Sequence, residues 1–146
     1  MKEPLVTYRG AVYPSQCDHM GHMNVMWYVG KFDEATWQLF AAIGLKPARM
    51  RSENIGMAGL EQQIEYKREL RAGDVVTVTS TVLEVKPKVI RFAHEMRDDG
   101  TGEIAARMVV VAVHMDTVAR KSRTFPDDVR RAAQALIDDG SPRSSG

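Results

Sequence analysis

DHMGHMNVMWYVGKFDEATWQLFAAIG, residues 18–44, decides how the chain is read. The polar, glycine-containing stretch from Ser15 to Asn24 reads as a loop. From Val25 onward the apolar residues recur at Val25, Tyr28, Val29, Phe32, Leu39, Phe40 and Ile43, with Ala35 and Thr36 filling the missing turn. That is helical spacing, and it makes one broad apolar stripe. Asn24 suits the N-cap and Gly44 the C-terminal stop.

Upstream, residues 4–13 (PLVTYRGAVY) are rich in strand formers and end at Pro14, which predicts a first strand. Downstream, residues 46–60 read as irregular, punctuated by Pro47, Gly56 and Gly59. Four strand-like runs follow at 62–70, 75–85, 89–97 and 103–116, separated by short turns at 71–74, 86–88 and 98–102. Turns this short make neighbouring strands antiparallel, so the expectation is a meander. The last run, IAARMVVVAVHM, does not alternate, which predicts that both its faces are covered. One helix covers only one face of such a sheet, so the other face is a candidate subunit interface. After Pro126, residues Val129, Ala132, Ala133, Leu136 and Ile137 predict a short amphipathic helix, with Asp127 and Asp128 suited to its N-terminus. No repeat or linker divides the chain. Residues 1–139 are expected to form one domain, and the tail 140–146 to be disordered.

At 146 residues the chain is long enough to bury a real core. Its 20 Lys and Arg against 19 Asp and Glu leave a net charge of +1, so no global basic field recruits nucleic acid or an anionic membrane. A single cysteine excludes an internal disulfide and a Cys-based zinc site. No leader pattern and no membrane-length apolar run are evident, so the expectation is a reduced, soluble, cytoplasmic domain.

Cys17, Asp18, His19 and His22 crowd into six positions ahead of the helix, and three chemistries compete there. As metal ligands, Cys17, Asp18 and His19 are adjacent and would have to fold back on themselves, and no known ligand spacing is present. As a nucleophile, Cys17 would need a base and a lowered thiol pKa, whereas a lone cysteine is more often a small buried hydrophobe. The carboxylate reading fits best. Free aspartate ionises at a pKa of about 3.9, so a carboxylate is available at neutral pH. A helix N-terminus beside it offers unpaired N–H groups and partial positive charge for a developing oxyanion. Gly21 permits a tight backbone path between the two.

The segment DHMGHMNVMWYVGKFDEA, together with AGDVVTVTSTV at its separation, resembles the hotdog-fold acyl-CoA thioesterases of the 4-hydroxybenzoyl-CoA type. The resemblance covers roughly residues 8–126. The run CDHMGHMNVMWYVGKFDEATW is also similar to the betainyl-CoA thioesterase branch linked to carnitine breakdown. The resemblance implies an α+β hotdog fold, a long central helix wrapped by a curved antiparallel sheet of about five strands. It implies hydrolysis of an acyl-CoA thioester without a cofactor or metal, Asp18 being nucleophile or general base. The N–H of Val25 would polarise the carbonyl. His22 and Asn24 would shape the loop and bond substrate or water, with His19 and Gly21 beside them. For His19 a base role and a plain exposed loop histidine stay open. Two subunits would join their sheets, with the sites at the interface, as a homodimer or a tetramer of two dimers.

Asp33 and Glu34 are the rival carboxylates, since another hotdog subclass carries its acid on the helix. They lie about two and a half turns past the helix start, at 1.5 Å per residue, so a bond to a neighbouring strand or loop is the expected role. Arg68, Lys86, Lys88 and Arg91 are available for the phosphates of coenzyme A, although exposed cations also serve solubility. Arg91 alternates with Ile90 and Phe92 and so faces away from them. His94 shares the Ile90–Phe92 face and reads as a core or interface histidine, and His114 is ambiguous. Trp27, Tyr28, Trp37 and Tyr66 read as packing residues, some of which could cage a trimethylammonium head by cation–π contact. Two other readings remain: an acyl-CoA-binding hotdog domain without chemistry, and a 3-hydroxyacyl-thioester dehydratase pairing His22 with Glu34.

Overall fold

Val25–Ala42 forms the long helix α1, with Asn24 as its N-cap. Its buried side chains, Tyr28, Lys31, Phe32, Ala35, Leu39 and Phe40, recur at helical spacing along one stripe. That stripe lies on a curled antiparallel sheet, as the hotdog arrangement requires. In this computed structural model residues 4–137 are described, and the segment 140–146 lies outside the described residues. The strands are β1 (Leu5–Ala11), β2 (Ile55–Tyr66), β3 (Val75–Val85), β4 (Val89–Asp98), β5 (Ile104–Asp116) and the two-residue β6 (Lys121–Ser122). Short helices α2 (Pro47–Ser52) and α3 (Asp127–Ala135) complete the order. Among the described residues no helix is long and apolar enough to cross a membrane.

Alternation fixes which side chains meet α1. Val76, Val78 and Val82 of β3, Ile90, Phe92 and Met96 of β4, and Ala106, Met108, Val110 and Ala112 of β5 are all buried. Their outward neighbours Arg107, Val109 and Val111 are half-buried, so β5 lacks the clean alternation of a strand with one wet face. His94 sits in the middle of this core with no exposed surface. Its Nδ1 is 2.6 Å from Ser80 Oγ and its Nε2 is 2.8 Å from Thr36 Oγ1, while Ser80 Oγ in turn lies 2.8 Å from Thr7 Oγ1. It is the satisfied core histidine that its apolar face predicts. Burial lowers its pKa to about 4.

Two expectations are corrected. Residues 46–60 are not irregular: they form α2 and then the first part of β2. The glycines that read as punctuation are strand features. The register between β2 and β5 shifts between Gly59 and Glu61, and a Cβ on Gly56 would meet Thr117 Cγ2 at 2.9 Å. The four runs are also not a simple meander. The sheet order is β1-β3-β4-β5-β2, so only β3, β4 and β5 follow one another as neighbours. β2 lies at the far edge, paired with β5, and β1 takes the place beside β3. The turn at 71–74 exists, with Asp74 N–H donating to Arg71 O at 3.0 Å. It ends a crossing segment rather than a hairpin. Residues 67–74 pass from the β2 side to the β3 side, tied down where Lys67 and Arg68 donate to Ala105 O and Gly73 donates to Val12 O.

Candidate active site

The crossing segment and the loop ahead of α1 press against each other. Leu70 is fully buried, and its carbonyl accepts the Met23 amide at 2.7 Å. Asn24 N–H reaches back to Gln16 O at 2.9 Å, and Asp18 N–H donates to His22 O at 3.0 Å. The loop is thus a closed ring of backbone bonds. Gly21, at φ +84°, supplies the left-handed residue that the ring needs. Above it opens a cleft of about 430 Å³, lined by the loop, the first turn of α1 and residues 66–69.

Inside the cleft Asp18 Oδ1 accepts the Met20 amide at 2.9 Å, and Oδ2 has no hydrogen bond among the described residues. At the helix tip the cap distributes the orphan amides. Asn24 Oδ1 takes the N–H of Met26 at 2.9 Å, and Asn24 O takes that of Trp27 at 2.9 Å. The N–H of Val25 is left without a partner among the described residues, at the positive end of the helix. A carboxylate oxygen and a free donor therefore line the same cleft. Together they can hold a carbonyl and deliver a nucleophile to it.

The side walls are aromatic and ionic. Tyr28 and Tyr66 meet edge to face at 5.2 Å between ring centres. The Tyr28 hydroxyl donates to Arg68 O at 2.9 Å, and burial pushes its pKa up to about 12, so it stays a neutral phenol. His22 Nε2 lies 3.1 Å from Glu69 Oε1. Arg68 lines the cleft with its guanidinium bonded to Glu103 at 2.7 Å.

Of the residues singled out in the sequence, Asp18, His22, Asn24, Val25, Tyr28, Tyr66 and Arg68 line this cleft. Gly21 turns the loop but does not line the cleft, and His19 is exposed. Trp27 is half-buried against the core instead of lining the cleft. Lys86, Lys88 and Arg91 lie at the opposite end of the sheet, across the 11-residue β3, which at ~3.3 Å per residue is about 33 Å away. Asp33 and Glu34 are exposed and bond to no strand or loop among the described residues. Glu69 and Lys67 were missed. They stand on the crossing segment, and no local pattern in the sequence announces that it returns to α1. Among the described residues no three His, Cys, Asp or Glu side chains converge as metal ligands would, and Cys17 is half-buried with its Sγ toward Tyr13 O at 3.8 Å.

Residues 12–133 match the family model described as Thioesterase-like superfamily. A Pseudomonas aeruginosa protein named betainyl-CoA thioesterase is 26% identical over 94% of this chain and 87% of its own length. Among solved structures, a Staphylococcus aureus protein in complex with CoA superposes with a TM-score of 0.87 at 19% identity, over 97% of this chain and 91% of that one. A 1,4-dihydroxy-2-naphthoyl-CoA thioesterase from Synechocystis gives 0.79 at 18% identity, over 90% and 96%. Likeness at this level of identity is one of fold.

Proposed function

Since the chain belongs to the Thioesterase-like superfamily, we propose that it hydrolyses an acyl-CoA to the free acid and coenzyme A. The observation that carries this reading is the pairing of an uncommitted Asp18 oxygen with the unpaired Val25 N–H in one cleft. The thioester carbonyl oxygen accepts the Val25 N–H, which stabilises the negative charge that develops there. Asp18 adds to the carbonyl carbon directly, or removes a proton from the water that does. The C–S bond then breaks, the electron pair leaves on sulfur, and the thiolate of coenzyme A takes up a proton. In the direct route water then opens the acyl–Asp18 anhydride. His22, held by Glu69, and Asn24, through its cap, keep the loop and the helix tip in place.

The name of the Pseudomonas aeruginosa relative makes quaternary-ammonium acyl groups the first substrates to test. The half-exposed Tyr66 ring, braced edge to face by the buried Tyr28, offers a π face for such a head group. Purified protein is incubated with a panel of acyl-CoAs, betainyl-CoA among them, while free thiol is monitored. Thiol release is the expected result. A changed acyl chain without thiol would indicate a dehydratase, and tight binding with neither would indicate a non-catalytic carrier.

The active form is a homodimer. Among the described residues β2 pairs with β5 on one side only, leaving a 12-residue edge with Leu60 61% exposed. Beside it Val25, Val29 and Trp37 expose an apolar stripe on α1. A second copy paired antiparallel through β2 covers both. Light scattering tests this, with a dimer or a tetramer of two dimers expected.

A further inference from the structure

Glu69 has no backbone hydrogen bond of its own among the described residues, yet its carboxylate meets His22. A bracket places it. The carbonyl just before it, Arg68 O, accepts the Tyr28 hydroxyl at 2.9 Å, and the carbonyl just after it, Leu70 O, accepts the Met23 amide at 2.7 Å. Both donors belong to the element that carries the other half of the contact: Met23 follows His22, and Tyr28 stands in the first turn of α1. The other ties of residues 67–70 run to Glu65, Glu103 and Ala105. Besides the His22 contact itself, the Tyr28 hydroxyl is therefore the only side-chain bond among the described residues between this segment and the loop and helix.

Tyr28 is built to hold that distance. Its side chain is buried, and the Tyr66 ring braces it edge to face. Its raised pKa, about 12, keeps the hydroxyl a donor across the neutral range. Drawing the segment away would strand a buried donor, which is costly. The far end of the bracket sets a ring. His22 Nε2 lies 3.1 Å from Glu69 Oε1, and Nδ1 has no partner among the described residues. A partner on one imidazole nitrogen decides which nitrogen is left for chemistry.

Resting on the thioesterase reading above, we infer that Tyr28 is a positioning residue for the hydrolysis. Its hydroxyl holds the Arg68 carbonyl, the held carbonyl sets where Glu69 stands, and Glu69 orients His22 so that Nδ1 is the nitrogen left for the leaving thiol or the attacking water. The Tyr28 ring walls the cleft while its hydroxyl acts at a distance, through two residues of the crossing segment. Supporting contacts of this kind keep a site residue in its working geometry.

Y28F tests this, because it removes the hydroxyl and keeps the ring and its packing. Its kcat/KM for thiol release should fall by about the same factor as that of E69Q, up to roughly tenfold, and Y28F/E69Q should be no slower than the slower single variant. A signal at equilibrium reads the positioning itself. The ring nitrogen resonances of His22, assigned among the four histidines with H22A, should move in Y28F at pH 7 most of the way toward their place in E69Q. V129A, which truncates a fully buried side chain of α3, is the destabilised control. Its melting temperature should fall while its turnover and His22 resonances match the wild type. His22 resonances that ignore Y28F, losses that multiply in Y28F/E69Q, or a V129A protein as slow as Y28F would each overturn the inference. If the wild type hydrolyses no acyl-CoA while the His22 resonances follow Tyr28, the positioning stands and the thioesterase reading falls.

Discussion

Asn24 Oδ1 accepts the Met26 amide at 2.9 Å, and by doing so leaves the Val25 amide as the free donor at the tip of α1. Asn24 therefore has two consequences that a substitution can separate. Asn24→Ala removes the cap at a cost of about 1 kcal/mol and lets the first turn fray, so the Val25 donor loses its fixed direction. The expected result is a drop of roughly tenfold or more in kcat, while Asn24→Asp, which caps equally well, holds the stability. A thermal melt and a thiol-release assay on both variants check this.

His22 and Glu69 are predicted to act as a unit. Glu69 is two-thirds exposed, and exposed ion pairs contribute ~0–1 kcal/mol, so Glu69→Gln should leave the melting temperature nearly unchanged. It should lower kcat/KM by up to roughly tenfold, because the His22 ring loses its orienting partner. In a double-mutant cycle, His22→Ala with Glu69→Gln should cost no more than His22→Ala alone; additive losses would mean that the two act separately.

Local signals carried far in this chain, and topology was where they ran out. The helix was legible because its stripe, its cap and its stop all lie within residues 24–44. The Asp18 loop and the helix tip were legible for the same reason. Strand pairing was not, because the turn at 71–74 looks the same whether the strands flanking it pair with each other or with distant partners. The choice is made by contacts remote in sequence, such as Gly73 with Val12 and Met23 with Leu70. The same blindness hid Glu69, which reaches the cleft only because the segment crosses beneath α1. It also let Lys86, Lys88 and Arg91 be grouped with Asp18, although β3 separates them within one chain.

Acid should weaken the fold through His94. Its folded pKa is lowered by burial to about 4, against an ordinary 6.5, so the folded state favours the neutral ring. The resulting stability is fully present above pH 6.5 and is lost as the pH falls toward 4, about 3 kcal/mol in all. His114, also lowered mainly by burial, adds to the loss in the same direction. Denaturant midpoints at pH 8, 6 and 4 should fall mostly below pH 6.5. The His94→Gln variant should be less stable at pH 8 and flatter over that range.

The central claim is that the Asp18 carboxylate does the chemistry. Asp18→Asn keeps the side-chain shape and the oxygen that accepts the Met20 amide, and removes the charge and the nucleophile. The decisive measurement is kcat for thiol release by this variant on the best acyl-CoA found, with an unchanged melting temperature as control. The account predicts a loss of about two to four orders of magnitude. Turnover near the wild-type value in a folded Asp18→Asn protein would contradict it.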